Sequence, residues 1–202
     1  MLIVRQTFAD RRTERRAELT IERVGASERP EPLTPHALDE KLRGAARFVE
    51  GTAALFADWA RDFAAAPNRL PPQDQARYQR AGGDPSIHYY HGYWALHPDE
   101  ALVVHVPRIP PCETWNFQLN NYWMESLEYR YFDVHVNKHG ARLRPDGSVR
   151  LIVAHRDPGL PNFIGTAGHD SGTMLFRWVR AEAHPVPRTR VLPLDALASL
   201  PA

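Results

Sequence analysis

The chain has one cysteine, two lysines and no apolar run near the roughly 20 residues of a bilayer-spanning helix. A lone Cys112 can form no intrachain disulfide, which suits a reducing compartment. It sits in Pro110-Pro111-Cys112-Glu113 without the surroundings of a catalytic thiol and reads as an inert loop residue. The opening Met1-Leu2-Ile3-Val4-Arg5-Gln6 turns polar too soon for a signal peptide, so the expected location is cytoplasmic, with no membrane partner. Charge of either sign is not in excess: 25 Lys and Arg face 24 Asp and Glu, a net +1. That balance removes the bulk electrostatic case for a nucleic-acid partner. Also missing are a Gly-rich phosphate loop, Gly-x-Ser-x-Gly, His-Glu-x-x-His and any His-x-His, so no cofactor and no resident metal is expected.

With Lys41 and Lys138 the only lysines, the other 23 basic residues are Arg; together with 18 Pro and abundant Ala this looks like GC-rich bacterial coding. The length fits one domain with an appendage. Leu2–Val4 and the alternating Glu18–Val24 predict two strands joined by a mixed-charge tip, a β-hairpin within residues 1–30. Residues 31–84 read as helical. Thr34-Pro35 is an N-cap signal, and Leu42, Val49, Phe56 and Phe63 recur every seven residues beside Leu38, Ala45, Thr52 and Trp59. That spacing predicts a long amphipathic helix over about 35–65, with a short helix over 73–81 ending at Gly82-Gly83. The stripe of four suits tight packing on a sheet or self-association as a homo-oligomer.

From residue 85 the texture turns extended. Ser86–Trp94, Ala101–Val106, Trp115–Asn120, Thr173–Val179 and Thr189–Leu194 predict strands, and Arg144-Pro145-Asp146-Gly147 predicts a tight turn joining Val134–Leu143 to Val149–Arg156 as a hairpin. Met1–Arg5 also echoes Met174–Arg177, each an apolar strand ending in Arg; two readings stand, a chance likeness of two short strands or residues 1–24 as the end of an upstream copy of the same module.

Residues 85–195 carry Tyr90-His91-Gly92-Tyr93-Trp94, Trp115-Asn116-Phe117-Gln118-Leu119-Asn120-Asn121-Tyr122-Trp123, Val134-His135-Val136-Asn137-Lys138-His139, Ala154-His155-Arg156-Asp157-Pro158-Gly159-Leu160-Pro161-Asn162-Phe163 and Gly172-Thr173-Met174-Leu175-Phe176-Arg177-Trp178. In these stretches the chain resembles bacterial proteins of the domain-of-unknown-function family twelve-fourteen, with Phe163 where members commonly have Trp. Members are often longer at the N-terminus, in keeping with the echo. The resemblance implies a jelly-roll-like antiparallel β-sandwich and no particular activity. The expected class is therefore mainly β with a helical insertion, residues 85–202 forming the sandwich.

Ten histidines invite a metal reading, and spacing opposes it. His88 and His91 fall on opposite faces of one strand, and His135 and His139 lie about 13 Å apart along another. If Arg144 lies opposite Ser148, then Asn137 pairs with His155 and His135 with Asp157, a polar cluster at the mouth of an apolar face. Such a cluster is a hydrogen-bond network, a ligand site, or a proton-transfer or metal-assisted site using His135, His155 and Asp157. Gln118 and Asn120 form an amide row beside Trp123, which suits a sugar or flat ligand and equally a packed core. Asn137, Asn162 and Arg177 complete the candidate ligand-binding set, Arg177 as a carboxylate clamp or the partner of a structural Asp. The functional expectation is a small hydrophobic or carbohydrate-like ligand; the alternatives are an enzyme using the His/Asp/Asn cluster and a structural self-association module.

Overall fold

The computed structural model describes residues 4–6, 8, 10–22, 24–25 and 32–200. It divides into two compact units, Met1–Ala45 and Ala46–Ala202. In the first unit Gln6 exchanges two hydrogen bonds with the Ala17 backbone, at 2.8 and 3.0 Å. Residues 14–22 form no strand, so the returning strand expected over 18–24 is not seen there. The charges of Glu14, Arg15, Arg16, Glu18 and Glu22 leave little apolar surface to bury in a ladder. Most of the expected first strand, Leu2–Val4, lies outside the described residues.

Helix α1 runs Pro35–Ala64, its start capped where Thr34 Oγ1 accepts from Ala37 N at 3.2 Å. Its seven-residue stripe is unevenly covered. Leu42 and Val49 are 61% and 65% exposed, Phe56 is half-buried and Phe63 is buried. The short α2, Gln75–Arg80, is capped by Asp74. Trp59 and Phe63 of α1 join Tyr78 of α2 in an aromatic cluster that also takes in Tyr89 and Tyr93.

Eight strands follow: β1 Ile87–Ala95, β2 Glu100–Val106, β3 Thr114–Leu119, β4 His135–Asn137, β5 Val149–Ala154, β6 Phe163–Gly165, β7 Ser171–Val179 and β8 Arg188–Pro193. They form two four-stranded sheets, ordered β1-β7-β3-β4 and β6-β5-β2-β8. Alternation sends Tyr90, Trp115, Phe117, Phe176 and Trp178 of the first sheet, and Leu102, Val104, Leu151 and Val153 of the second, into one shared core. The chain is thus mainly β with one long helix. The second sheet departs from the expected all-antiparallel pattern, because β5 and β6 pair in parallel across the Pro-rich segment 155–162.

The expected 134–156 hairpin is also overturned. Only its tip closes, Arg144 N donating to Ser148 O and Gly147 N to Arg144 O, both at 2.9 Å. Beyond the tip the two arms part. β4 pairs with β3 in the first sheet, Gln118 opposite His135 and Asn116 opposite Asn137, while β5 pairs with β2 and β6 in the second. Local turn chemistry decided the tip, and core pairing decided the strands.

Candidate functional site

Parting the two arms places the edge strand β4 of one sheet near the edge strand β6 of the other, tied by a 2.7 Å bond from Gly165 N to Asp133 O. Between them lies a cleft of about 420 Å³, whose lining includes Asp133, His135, Asn137, Arg142, Asp157, Asn162 and Phe163. Four residues singled out in the sequence, His135, Asn137, Asp157 and Asn162, therefore share one cleft, reached by a different register from the one expected.

Their duties differ. Asn162 is a clamp at positive φ (59°). Its Oδ1 accepts from Arg142 N at 2.7 Å, and its Nδ2 donates to the carbonyls of Arg142 and Arg150 at 2.8 and 2.9 Å. Those bonds fasten segment 140–143 to the second sheet and occupy the amide. Asn137 Oδ1 accepts from His139 N and Gly140 N, which turns the chain after β4. Asp157 Oδ1 caps the next turn through Gly159 N at 2.8 Å. Among the described residues nothing engages Asn137 Nδ2, Asp157 Oδ2 or the side chains of His135, Asp133 and Arg142. The cleft thus offers two carboxylates, an imidazole, an amide N–H and a guanidinium around the Phe163 ring.

His155 is elsewhere. Its Nε2 lies 3.1 Å from Leu96 O and its Nδ1 3.0 Å from Thr166 Oγ1. A carbonyl can only accept, so Nε2 carries the proton and Nδ1 receives the Thr166 hydroxyl. With both nitrogens engaged, His155 works as a strut between strands. Of the three acid–base candidates, His135 and Asp157 line the cleft, and His155 is not among its lining residues.

The remaining candidates lie on β3 and β7 of the first sheet and in the segment that follows β3. Gln118 Nε2 donates to Asn120 Oδ1 at 2.6 Å; Asn120 is fully buried with no partner for its Nδ2 among the described residues, and Gln118 is half-buried. Arg177, on β7, lies in register with Tyr89 and Asn116. Its charge, after burial, helps hold His91 down to about 3, and His91 stacks on Phe63 at 5.4 Å. Trp123 is half-exposed in the loop after β3, edge-on to Tyr122. Burial pushes the Cys112 thiol up, as suits an inert thiol. No group of three or more His, Cys, Asp or Glu that could hold a metal ion occurs among the described residues. No helix among them is long and apolar enough to cross a membrane.

Sequence reasoning missed Asp133, Arg142 and the cleft-facing position of Phe163. All three depend on β4 leaving β5. It also missed an arginine group on the second sheet, whose only linear trace is the alternation Arg188-Thr189-Arg190.

The chain is similar to an uncharacterised protein from Burkholderia cenocepacia known from its crystal structure, with 56% identity and a TM-score of 0.89 over 95% of this chain and 53% of that one. It spans about half the length of that relative. The VPA0106 protein from Vibrio parahaemolyticus matches at 12% identity and a TM-score of 0.43, over 80% of this chain and 47% of that one. No family model and no curated protein matches the sequence.

Proposed function

We propose that this chain is a small-molecule-binding module, a jelly-roll-like β-sandwich of the domain-of-unknown-function family twelve-fourteen type, whose ligand is a polar, carbohydrate-like molecule held in the cleft between β4 and β6. The observation that carries the reading is the lining of the cleft. Asp157 and Asp133 accept, Asn137 Nδ2 and Arg142 donate, and His135 does either, which suits neighbouring hydroxyls on one ligand. Phe163 supplies a flat apolar face such as a pyranose ring stacks upon. A volume of about 420 Å³ matches a molecule of one or two sugar rings and falls within the usual range of ligand pockets. Asn162 and the Asn137 turn pre-organise the walls, so little ordering is left for the ligand to impose.

A thermal-shift screen of neutral mono- and disaccharides tests this. A stabilising ligand is expected, and its effect should vanish in His135→Ala, which removes an exposed side chain with no partner among the described residues. No stabilisation by any sugar, or stabilisation that His135→Ala leaves intact, would count against the cleft as the site.

A further inference from the structure

The outer face of the second sheet is divided in two. On β5, β2 and β8 the outward positions are Arg150, Ile152 and Ala154; His105, Val103 and Ala101; and Arg188, Arg190 and Leu192. The apolar end is covered, since Leu197 of the closing 3-10 helix Leu194–Ser199 packs with Ala101, Val103, Ile152 and Ala154. The other end is open. There Arg150 and Arg188 lie in register on either side of His105, and Arg190 stands opposite Val103. These residues, with Thr189, line an open hollow of about 280 Å³ to which Val103 contributes apolar surface.

Arg150 and Arg188 are separated by two strand spacings of about 4.8 Å each, and Arg188 and Arg190 are two residues apart on β8, so three arginines rise from one end of one face without standing directly opposite each other. Several arginines elsewhere are matched with acids, Arg43 with Asp39, Arg61 with Asp58, Arg77 with Asp62, Arg130 with Glu128 and Arg180 with Glu113, while others, Arg69, Arg108 and Arg142 among them, have no such partner among the described residues. Among the described residues no carboxylate pairs with Arg150, Arg188 or Arg190. Asp146 does bear on His105 and Arg150 and offsets part of this charge; its Oδ1 accepts from Ser148 at 2.6 and 2.9 Å and its Oδ2 lies 3.9 Å from Arg144 Nη1. The result is a concentration of positive charge in a chain whose net charge is only +1.

We propose that this hollow binds a small organic oxyanion of at least two negative charges, of the phosphate-ester class, with its anionic group between Arg150, Arg188 and Arg190 and its organic part on Val103. Arginine is suited to such a group because its planar guanidinium presents paired N–H donors to the oxygens, and three arginines line this one hollow. The charge is confined to one hollow rather than drawn out in a stripe, which favours a small molecule over a nucleic-acid backbone. The site is independent of the β4–β6 cleft. Its state is also readable at His105, which burial and the charges of Arg144, Arg188 and Arg150 hold below its ordinary value, against a smaller opposing pull from Asp146. An anion seated among the arginines cancels that field and lets the imidazole take its proton at higher pH.

The test titrates the full chain with inorganic pyrophosphate and with ribose 5-phosphate, following binding by calorimetry and the His105 ring by NMR. Both probes should bind and should raise the His105 titration midpoint. Arg188→Gln and Arg190→Gln, both at exposed positions, should each weaken binding about tenfold or more, as loss of a charge-assisted bond does. Arg180→Gln should leave it unchanged. Three results would overturn the proposal: no binding with a stationary His105; binding that survives the double variant Arg188→Gln/Arg190→Gln; or arginine-dependent binding of a short DNA duplex without binding of either small phosphate.

Discussion

His135 and Asp157 face one cleft although they belong to different sheets, His135 on the edge strand β4 of the first and Asp157 just beyond β5 of the second. The relationship depends on the chain leaving the Arg144–Ser148 turn in two directions. A continued hairpin would have set the two side chains directly opposite, within one ladder and with no cleft between them.

Asn162 holds that separation, and its removal is the first prediction. Asn162→Ala loses three hydrogen bonds and places a Cβ residue without a helpful side chain at φ 59°. The expected cost is about 2–3 kcal/mol. Asn162→Gly, which relieves the backbone but not the clamp, should be the milder change. Urea unfolding of the two variants checks this; equal stability to wild type would show that the clamp contributes nothing.

Gly172 is required by close approach. A Cβ there would collide with the Asn120 carbonyl, which also accepts from Trp94 Nε1 at 3.3 Å. Gly172→Ala should destabilise by about 1–3 kcal/mol through forced displacement of β7 and the segment after β3. Gly140→Ala, whose Cβ would meet only Asn137 Oδ1 at 3.8 Å, should be near neutral. Thermal melts of the pair separate the two expectations.

Stability should fall on the acid side because of the buried His91 and the half-buried His88. His91, surrounded by Phe63, Tyr78, Tyr89 and the charge of Arg177, is held at about 3 against an ordinary 6.5, chiefly by burial. Burial also lowers His88, with His184 adding to it. A depressed base keeps its full contribution above pH 6.5; below that the unfolded chain takes the proton that the folded chain refuses. Stability is then lost as pH falls from about 6.5 toward 3, by up to about 1.4 kcal/mol per pH unit for His91 alone. Melting temperatures should drop by a few degrees per unit in this range, and His91→Phe should flatten the slope. An unchanged slope in that variant would assign the acid limb to other groups.

Much of the fold is legible in the sequence because it rests on local signals. Thr34-Pro35 marks the start of α1, His97–Glu100 forms the expected turn, and the alternation of Trp115, Phe117 and Leu119 with Asn116, Gln118 and Asn120 assigns β3 its two faces. What escapes is pairing between distant segments. Pro145-Asp146-Gly147 specifies a turn and says nothing of which sheet receives each arm, and the three residues of β4 hold too little pattern to announce their partner. The α1 stripe shows the same limit: its period fixes a face, while only contact buries Phe63 and leaves Leu42 exposed. The cleft was half legible for this reason. Its residue types stood out at His135, Asn137, Asp157 and Asn162, whereas Asp133, Arg142 and the arginines around His105 acquire meaning only from register.

The most direct test of the account is an NMR titration of the isotopically labelled full chain with glucose, galactose, mannose and N-acetylglucosamine. At least one sugar should bind, shifting amides of residues 133–142 and 157–163 together, and Asp157→Asn should weaken it about tenfold through loss of a charged acceptor. Absence of shifts with all four sugars, or shifts confined to β2, β5 and β8 around His105, would contradict the β4–β6 cleft as a carbohydrate-like ligand site.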